Sequence, residues 1–324
     1  MTKLFNKRGL HNETFRRKFK IGGSMRTLIE LVNNSQDLVL QIRDNYINIY
    51  YQGGNIAKIS SEMSVDVDEN YFRQYPSNQS EEEDWSAIKS DINEVKELFK
   101  NHKYEDYIET VKKAMLNFWV NVLKGKGLEE KNAQHSICLQ NGDLSEYTII
   151  DIEYQVSKES EFKYRGKRIS LGKKVPTPRF DIVAVRNKDH RLCVIELKKG
   201  TQALSLKSGV QEHAESFANT IGYDKQTQKA FLDEMIEILR QKKEDLEIIS
   251  KDICIDDKLD PEFIFAYQYK KGDKVYDSFD KQKELFRYYK NKKANVDGVN
   301  YAKEFYVIWL EEGEYKLSDK NKEK

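Results

Sequence analysis

Two apolar runs separated by a short polar turn form the clearest pattern in the chain. The first run covers residues 182–185 (Ile-Val-Ala-Val) and the second covers residues 192–195 (Leu-Cys-Val-Ile), with the polar residues 187–190 between them. Continuous apolar runs of this length are typical of strands that are covered on both faces of a sheet. We therefore predict two neighbouring antiparallel strands joined by a tight turn.

Charged residues stand at one end of this predicted hairpin. Asp181 precedes the first run, and Glu196 and Lys198 follow the second. Residues two apart on a strand share a face, so Glu196 and Lys198 point the same way. Two carboxylates beside an apolar core repel each other, and a divalent metal offsets that repulsion. The alternative is a strand that ends in solvent, because charged residues make up 34% of the chain.

Helix and strand patterns continue on both sides of the hairpin. We predict a helix over residues 128–137 and a strand over residues 147–156 before it. The strand alternates apolar residues with Asp151, Glu153 and Gln155, which predicts one solvated face. A later apolar run over residues 263–267 predicts another strand of the same sheet.

The segment that follows Lys198 predicts a helix over about residues 204–219. Apolar residues recur at helical spacing and form a stripe that faces the core. The stripe consists of Leu206, Val210, Ala214 and Phe217. Gln211 and His213 lie off this stripe, towards the region that the sheet end faces. We take them as tentative site contacts, and exposure to solvent is the alternative.

This order of elements resembles the PD-(D/E)XK nuclease superfamily, which includes the restriction endonucleases. The resemblance rests on Asp181, then Glu196-Leu197-Lys198 on the following strand, then a helix, and it covers roughly residues 127–270. The family often has Pro-Asp at the first position, whereas Phe180 precedes Asp181 here. The resemblance implies an α/β fold with a restriction-endonuclease-like core, a mixed central sheet flanked by helices.

The resemblance also implies the chemistry of a metal-dependent endonuclease. Asp181, Glu196 and the backbone carbonyl of Leu197 would bind Mg²⁺ or Mn²⁺, since these hard cations prefer oxygen ligands. The metal would activate a water for phosphodiester hydrolysis. Lys198 would orient or help deprotonate that water and stabilise the transition state. Gln211 is a tentative further catalytic residue, because related nucleases place a polar group from this helix near the active site.

The family often adds a carboxylate from its first helix. Our choice is Glu130, which lies four residues before Gln134 and therefore shares a helical face with it. Glu129 is the neighbouring alternative, and Glu153 on the predicted strand is another. An exposed acidic helix start, favoured by the helix dipole, explains Glu129 and Glu130 equally well.

A basic stretch separates the first two predicted core strands. Residues 158–179 contain eight Lys or Arg residues against Glu159 and Glu161, with Phe162 and Tyr164 among them. Lys and Arg contact phosphates without regard to base sequence, so we predict nucleic-acid contacts here; a solvated loop is the alternative. The predicted contact residues are Lys163, Arg165, Lys167, Arg168, Lys173, Lys174 and Arg179.

The remaining patterns suggest the domain organisation. Residues 1–84 read as an N-terminal β-rich accessory region with a β-meander over residues 38–59, preceded by a basic lead-in. We place the boundary in the polar and acidic residues 76–84. Residues 85–324 would form a helical lead-in and the nuclease-like domain, with an added C-terminal helix (285–289), a strand (305–310) and a frayed tail from Ser318.

Composition limits the possible environments. The net charge is only +1, so any basic surface must be local. The three cysteines form no Cys-x-x-Cys pair, and the five histidines show no metal-ligand spacing, which argues against a zinc site. Widely spaced cysteines are also typical of a protein in a reducing cytoplasm. No apolar stretch approaches the ~20 residues of a membrane span, so we expect no membrane association.

These observations leave three functional hypotheses. The first is a Mg²⁺-dependent nuclease acting on nucleic acid, foremost DNA, in bacterial anti-phage defence or restriction. The second is a catalytically silent nuclease-like module that binds nucleic acid or protein. The third is an RNA or tRNA nuclease. For an active nuclease we also expect control by a regulatory protein partner or by homo-oligomerisation, since uncontrolled cleavage would damage the host genome.

Overall fold

The structure is a computed structural model in which the chain divides into two compact units. One unit is Gly9–Leu139, and the other combines Met1–Arg8 with Gln140–Lys324. The residues that the structure describes are 8–73, 85–125, 128–156, 161–164, 167–170, 179–199, 210–222, 225–272 and 306–323. The predicted boundary at residues 76–84 and the predicted helix at residues 285–289 lie outside these ranges.

The unit Gly9–Leu139 contains an antiparallel sheet with the order β1-β2-β3-β4. Its described strands are β1 (Leu38–Ile42), β2 (Tyr46–Tyr51), β3 (Gly54–Ser60) and β4 (Val65–Asp66). Its described helices are α1 (Glu13–Arg17), α2 (Arg26–Asn34), α3 (Trp85–Lys100), α4 (Tyr104–Asn117) and α5 (Glu129–Gln140), whose last residue falls in the other unit. The predicted β-meander is confirmed, and the lead-in packs through the buried side chains of Phe15 and Phe19.

Between the two units, the chain passes from one to the other after Leu139. The helices after residue 85 group with the β-meander, whereas we expected them to lead into the second domain. Buried contacts explain this grouping: the Tyr107 hydroxyl on α4 donates to the carbonyl of Ile56 on β3 at 2.7 Å. A side chain on Gly53 would lie 2.6 Å from the backbone oxygen of Lys131, so α5 approaches the β2–β3 turn closely.

The second unit is built on a mixed sheet with the order β12-β11-β10-β9-β8-β5 in the described residues. The three strands β5, β8 and β9 are antiparallel neighbours, whereas β9, β10 and β11 run parallel. The strands are β5 (Tyr147–Gln155), β8 (Arg179–Arg186), β9 (Arg191–Lys199), β10 (Glu262–Tyr269), β11 (Tyr306–Glu311) and β12 (Lys322–Glu323). The two strands β6 (Glu161–Tyr164) and β7 (Lys167–Ser170) form a separate antiparallel ribbon.

Two helices cover one face of this mixed sheet. The helices are α6 (Val210–Asn219) and α7 (Lys225–Glu244). Residues of both join a single apolar cluster with strand residues such as Val194 and Phe265. Burial of this apolar surface is the main force that holds the layers together. The predicted mixed α/β architecture is therefore observed, and every predicted strand from residue 147 onward has a counterpart.

Three local predictions are wrong. The tail after Ser318 is not frayed, because Lys322 of β12 pairs with Ile308 of β11. The polar face of β5 is not solvated throughout, because Asp151 is fully buried. The backbone of Glu153 has a positive φ of 49°, which interrupts the regular alternation of that strand. In a separate observation, none of the described helices is both long and apolar enough to cross a bilayer.

Candidate functional site

The predicted motif residues meet where the pairing of β8 and β9 ends. The last paired residues are Ile182 on β8 and Ile195 on β9. One residue beyond this pair, the Asp181 carboxylate oxygen Oδ2 accepts a hydrogen bond from the backbone N–H of Leu197 at 2.8 Å. The side chain of Asp181 thus replaces the backbone acceptor that a longer ladder would supply. Asp181 is in this way fixed beside the Glu196-Leu197-Lys198 segment.

The carboxylate of Glu196 is held through one of its two oxygens. Oε1 accepts from Nζ of Lys198 at 2.8 Å and lies 2.8 Å from Nδ1 of His213 on α6. The residue is only 3% exposed. Oε2 is buried and has no hydrogen-bond partner among the described residues. A buried carboxylate oxygen without a partner is costly, so this atom is suited to bind a cation.

Electrostatics keep Glu196 ionised. Burial on its own raises the pKa of this carboxyl, but the hydrogen bond from His213 and the positive charge of Lys198 outweigh it. The pKa of Glu196 is therefore below its ordinary value. An ionised carboxylate only accepts hydrogen bonds, so Nδ1 of His213 carries the hydrogen. Glu196 is thus an anion at neutral pH and has one oxygen available for a ligand.

These donors are compatible with a magnesium ion. In an extended strand the N–H and C=O of one residue point to the same side, so the carbonyl of Leu197 lies on the side of Asp181. Mg²⁺ is commonly bound by one or two carboxylates, with waters and substrate phosphates completing the shell. Within the described ranges no three His, Cys, Asp or Glu side chains form a metal-binding group. These residues therefore fit a magnesium site with two carboxylate ligands and not a site in which protein side chains fill the whole coordination shell.

Two of the tentative upstream carboxylates lie on α5 and the third lies on β5. Glu129 and Glu130 are exposed in the first turn of α5, within the unit Gly9–Leu139, whereas Asp181 and Glu196 belong to the other unit. Glu153 on β5 forms an ion pair with Arg179 at 3.8 Å.

The helix α6 carries both tentative contacts, Gln211 and His213. Gln211 lies on α6, but its side chain is outside the described part of the structure. His213 is the residue that contacts Glu196. It precedes Ala214 of the predicted apolar stripe, and the burial of Ala214 and Phe217 in the core orients the helix. The sequence indicated this contact, because His213 lies off the apolar stripe that faces the core.

The predicted nucleic-acid contacts are only partly described. Lys163, Lys167 and Arg168 belong to the β6–β7 ribbon, although their side chains are outside the description. Arg179 begins β8, is exposed and pairs with Glu153. The other three predicted contacts, Arg165, Lys173 and Lys174, lie outside the described residues.

A second buried polar cluster, which the sequence did not suggest, joins β5 to α7. Arg8 forms an ion pair with Asp151, and its backbone N–H donates to Glu234 at 2.9 Å. The Tyr154 hydroxyl donates to the other oxygen of Glu234 at 2.7 Å. Burial is the largest influence on Glu234 and raises the pKa of its carboxyl. This cluster anchors the chain at Arg8 to the second unit.

Comparison with known proteins adds no assignment. No family model, curated protein or solved structure matches the chain. Inference about function therefore depends on the chemistry of Asp181, Glu196, Lys198 and His213 and on the short motif that contains the first three.

Proposed function

We propose that the protein is a Mg²⁺-dependent nuclease that hydrolyses phosphodiester bonds in nucleic acid, with DNA as the favoured substrate. The observation that carries this proposal is the ionised, buried oxygen Oε2 of Glu196, which has no hydrogen-bond partner among the described residues. A second carboxylate, Asp181, is fixed next to it through Leu197. An ammonium group, Lys198, lies on the same strand.

Each residue has a distinct role in this proposal. Glu196 through Oε2, Asp181 and the carbonyl of Leu197 would hold Mg²⁺ or Mn²⁺. Such an ion, when bound, lowers the pKa of a coordinated water and offsets negative charge on the phosphate. Lys198 would orient the attacking water and stabilise the charge that develops on the phosphoryl oxygens.

The reaction is the addition of water across one phosphodiester bond. The water oxygen forms a bond to phosphorus while the bond from phosphorus to the leaving sugar oxygen breaks. One proton of the water passes to bulk solvent, and the leaving sugar oxygen takes up a proton from solvent and becomes a hydroxyl. Basic residues of the stretch 158–179 would bind the phosphate backbone by charge, so binding should weaken as salt increases. Defence against phage DNA is a setting that suits such an activity.

A test compares cleavage with and without the metal. The full chain is incubated with supercoiled plasmid and, separately, with RNA, in Mg²⁺, in Mn²⁺ and in excess chelator. We expect nicking or linearisation of plasmid that requires the metal and is lost in Glu196→Gln. The matched control is Asp233→Asn, which changes an exposed carboxylate on α7 that forms a surface ion pair with Lys229. Cleavage that persists in chelator would contradict the proposal, and cleavage of RNA alone would reassign the substrate.

A catalytically silent nuclease-like module is the second candidate, and one observation favours it. Lys198 already forms an ion pair with Glu196, and His213 lies within hydrogen-bond distance of the same oxygen, so the charge of Glu196 is offset within the fold. In that case the protein would retain plasmid or RNA in a binding assay but would cleave neither under any metal condition. Glu196→Gln would then change the stability of the fold and leave nucleic-acid binding intact.

A further inference from the structure

We propose that His213 is a positioning residue that holds Glu196 so that Oε2 faces the metal, which leaves Lys198 available for the reacting groups. This inference rests on the proposed function and deepens it. The motif Asp181, Glu196 and Lys198 does not include His213, and no property of the motif assigns a role to this histidine.

The asymmetry of the contacts on Glu196 supports this role. Both donors, Nζ of Lys198 and Nδ1 of His213, are directed to the same oxygen, Oε1, at 2.8 Å. The other oxygen, Oε2, is buried without a hydrogen-bond partner among the described residues. Two hydrogen bonds to one oxygen fix the rotation of the carboxylate and thereby the direction of the second oxygen. Carboxylates that bind metals are commonly oriented by such outer hydrogen bonds.

His213 is better placed than Lys198 to do this permanently. Its side chain has two torsions, and it sits on a helix whose neighbouring residues Ala214 and Phe217 are buried in the core. Lys198 has a long flexible stem and an ammonium with three donors, so it can redirect towards a water or a phosphate. With His213 on Oε1, Glu196 remains hydrogen-bonded when Lys198 turns away. His213 therefore separates the task of holding the ligand from the task of acting on the substrate.

The role depends on the position of a single donor, which makes it testable by isosteric substitution. The side-chain amide nitrogen of Asn coincides with Nδ1 of a histidine, whereas that of Gln coincides with Nε2. His213→Asn should therefore retain the hydrogen bond to Glu196, and His213→Gln and His213→Ala should lose it. The wild type and these three variants all carry Glu196 and Lys198 unchanged. His11→Ala, which removes an exposed histidine from the other unit, is the matched control.

The experiment is Mn²⁺ binding to the full chain by isothermal titration calorimetry, without nucleic acid. We expect His213→Ala and His213→Gln to bind Mn²⁺ about 10- to 100-fold more weakly than the wild type, the usual cost of losing an outer hydrogen bond to a metal ligand. His213→Asn and His11→Ala should bind like the wild type. Thermal melting without metal checks that each variant is folded. A variant that is not folded is left out of the comparison. The Mn²⁺ affinities of His213→Asn and His213→Gln then decide whether the position of the donor matters.

A second readout separates positioning from general damage. Cleavage at saturating Mn²⁺ should still be slower in His213→Gln than in His213→Asn, because Lys198 must then hold Glu196 instead of acting on the substrate. Suppose that the wild type binds Mn²⁺ and Glu196→Gln does not. Equal Mn²⁺ affinity of His213→Asn and His213→Gln would then overturn the role of His213 and leave the proposed nuclease function unaffected. Absence of Mn²⁺ binding in the wild type would instead overturn the proposed function and this inference together.

Discussion

The carboxylate of Asp181 accepts a hydrogen bond from the backbone N–H of Leu197 across 2.8 Å. Leu197 is the residue between Glu196 and Lys198, so the first motif residue is joined to the second part of the motif through the backbone. A contact to a backbone group does not depend on the rotamers of long side chains. The position of the Asp181 carboxylate relative to the backbone of β9 is therefore set by the sheet itself.

This contact predicts that two substitutions of Asp181 will differ. Asp181→Asn keeps an oxygen that can accept from Leu197, so the fold should retain its stability while cleavage falls at least about 100-fold through loss of a metal ligand. Asp181→Ala should lose cleavage as well and also about 1 kcal/mol of unfolding free energy, because the Leu197 N–H loses its acceptor. Plasmid cleavage rates and urea unfolding measure the two effects. Equal stability of both variants would show that the hydrogen bond contributes nothing.

Lys198 should matter more for the reaction than for the ion. In Lys198→Met, His213 still donates to Oε1 of Glu196, so Mn²⁺ binding should be largely kept. The cleavage rate at saturating metal should fall about 100-fold or more, the usual cost of losing a group that assists proton transfer. Lys199→Met is the matched control, because Lys199 is the adjacent residue and pairs with Glu312 at 3.7 Å. An equal loss of rate in both variants would indicate a general effect of charge on nucleic-acid binding.

The pH dependence of stability should contain a contribution from Glu234. Burial raises the pKa of this carboxyl in the folded protein above its ordinary value of 4.5. The folded state therefore keeps a proton that the unfolded state has already released, and stability decreases as the pH rises from about 4.5 through the folded pKa. Glu234→Gln cannot ionise and should lose this decrease. Urea unfolding of both proteins over a pH series gives the difference, and parallel curves would rule the contribution out.

Arg186 should be required for stability, although it lies far along β8 from Asp181. Its guanidinium donates to Glu262 at 2.8 Å, and both side chains are at most 7% exposed. Arg186→Ala removes the ion pair at 2.8 Å from the buried Glu262 carboxylate, and the described pair with Arg191 is longer, at 3.9 Å. We expect a loss of about 3 kcal/mol in unfolding free energy, since removing one partner of a buried ion pair is strongly destabilising.

The control for Arg186 is an exposed pair. Lys229→Ala removes a surface ion pair with Asp233 and should cost less than about 0.5 kcal/mol. The double variant Arg186→Met with Glu262→Met should recover much of the loss, because no unpaired charge then remains buried. Failure of the double variant to recover stability would assign the loss to packing around Arg186 and not to charge.

Gly54 should not tolerate a side chain. A Cβ atom there would meet the sulfur of Met115 and lie 2.8 Å from an indole carbon of Trp119. Gly54→Ala should therefore destabilise the unit Gly9–Leu139 by about 1 to 3 kcal/mol through overpacking. Gly142→Ala is the control, because within the described part of the chain no neighbouring atom lies within 4 Å of its Cβ position. Thermal melting of both variants tests the expectation, and equal melting temperatures would contradict it.

The elements around the motif were predictable because their information is local. The strands β8 and β9 each carry a continuous apolar run, and the polar residues between them form the turn that joins them. The β-meander follows from alternation and from turn residues such as Asn45, whose φ is 55°. In each case a few neighbouring residues determine the element, so the sequence is sufficient.

The contacts that the sequence left open or missed depend on residues distant in the chain. The contact of His213 with Glu196 depends on the rotation of α6 about its axis, which is set by how Ala214 and Phe217 pack in the core. The burial of Asp151 depends on Arg8, 143 residues away. The strand β12 has two residues and no apolar pattern, and it forms only because β11 offers an edge. Tertiary packing, which local patterns do not contain, decides all three.

The parallel pairing of β9 with β10 has a consequence for the newly made chain. The strand that bears Glu196 leaves the ribosome well before β10, which begins at Glu262 and covers its remaining edge. Until that partner arrives, β9 lacks the neighbour that completes its backbone pairing. Nascent chains that still lack β10 are thus expected to be inactive. Any nuclease activity would arise only late in translation, after β10 has been synthesised and has paired with β9.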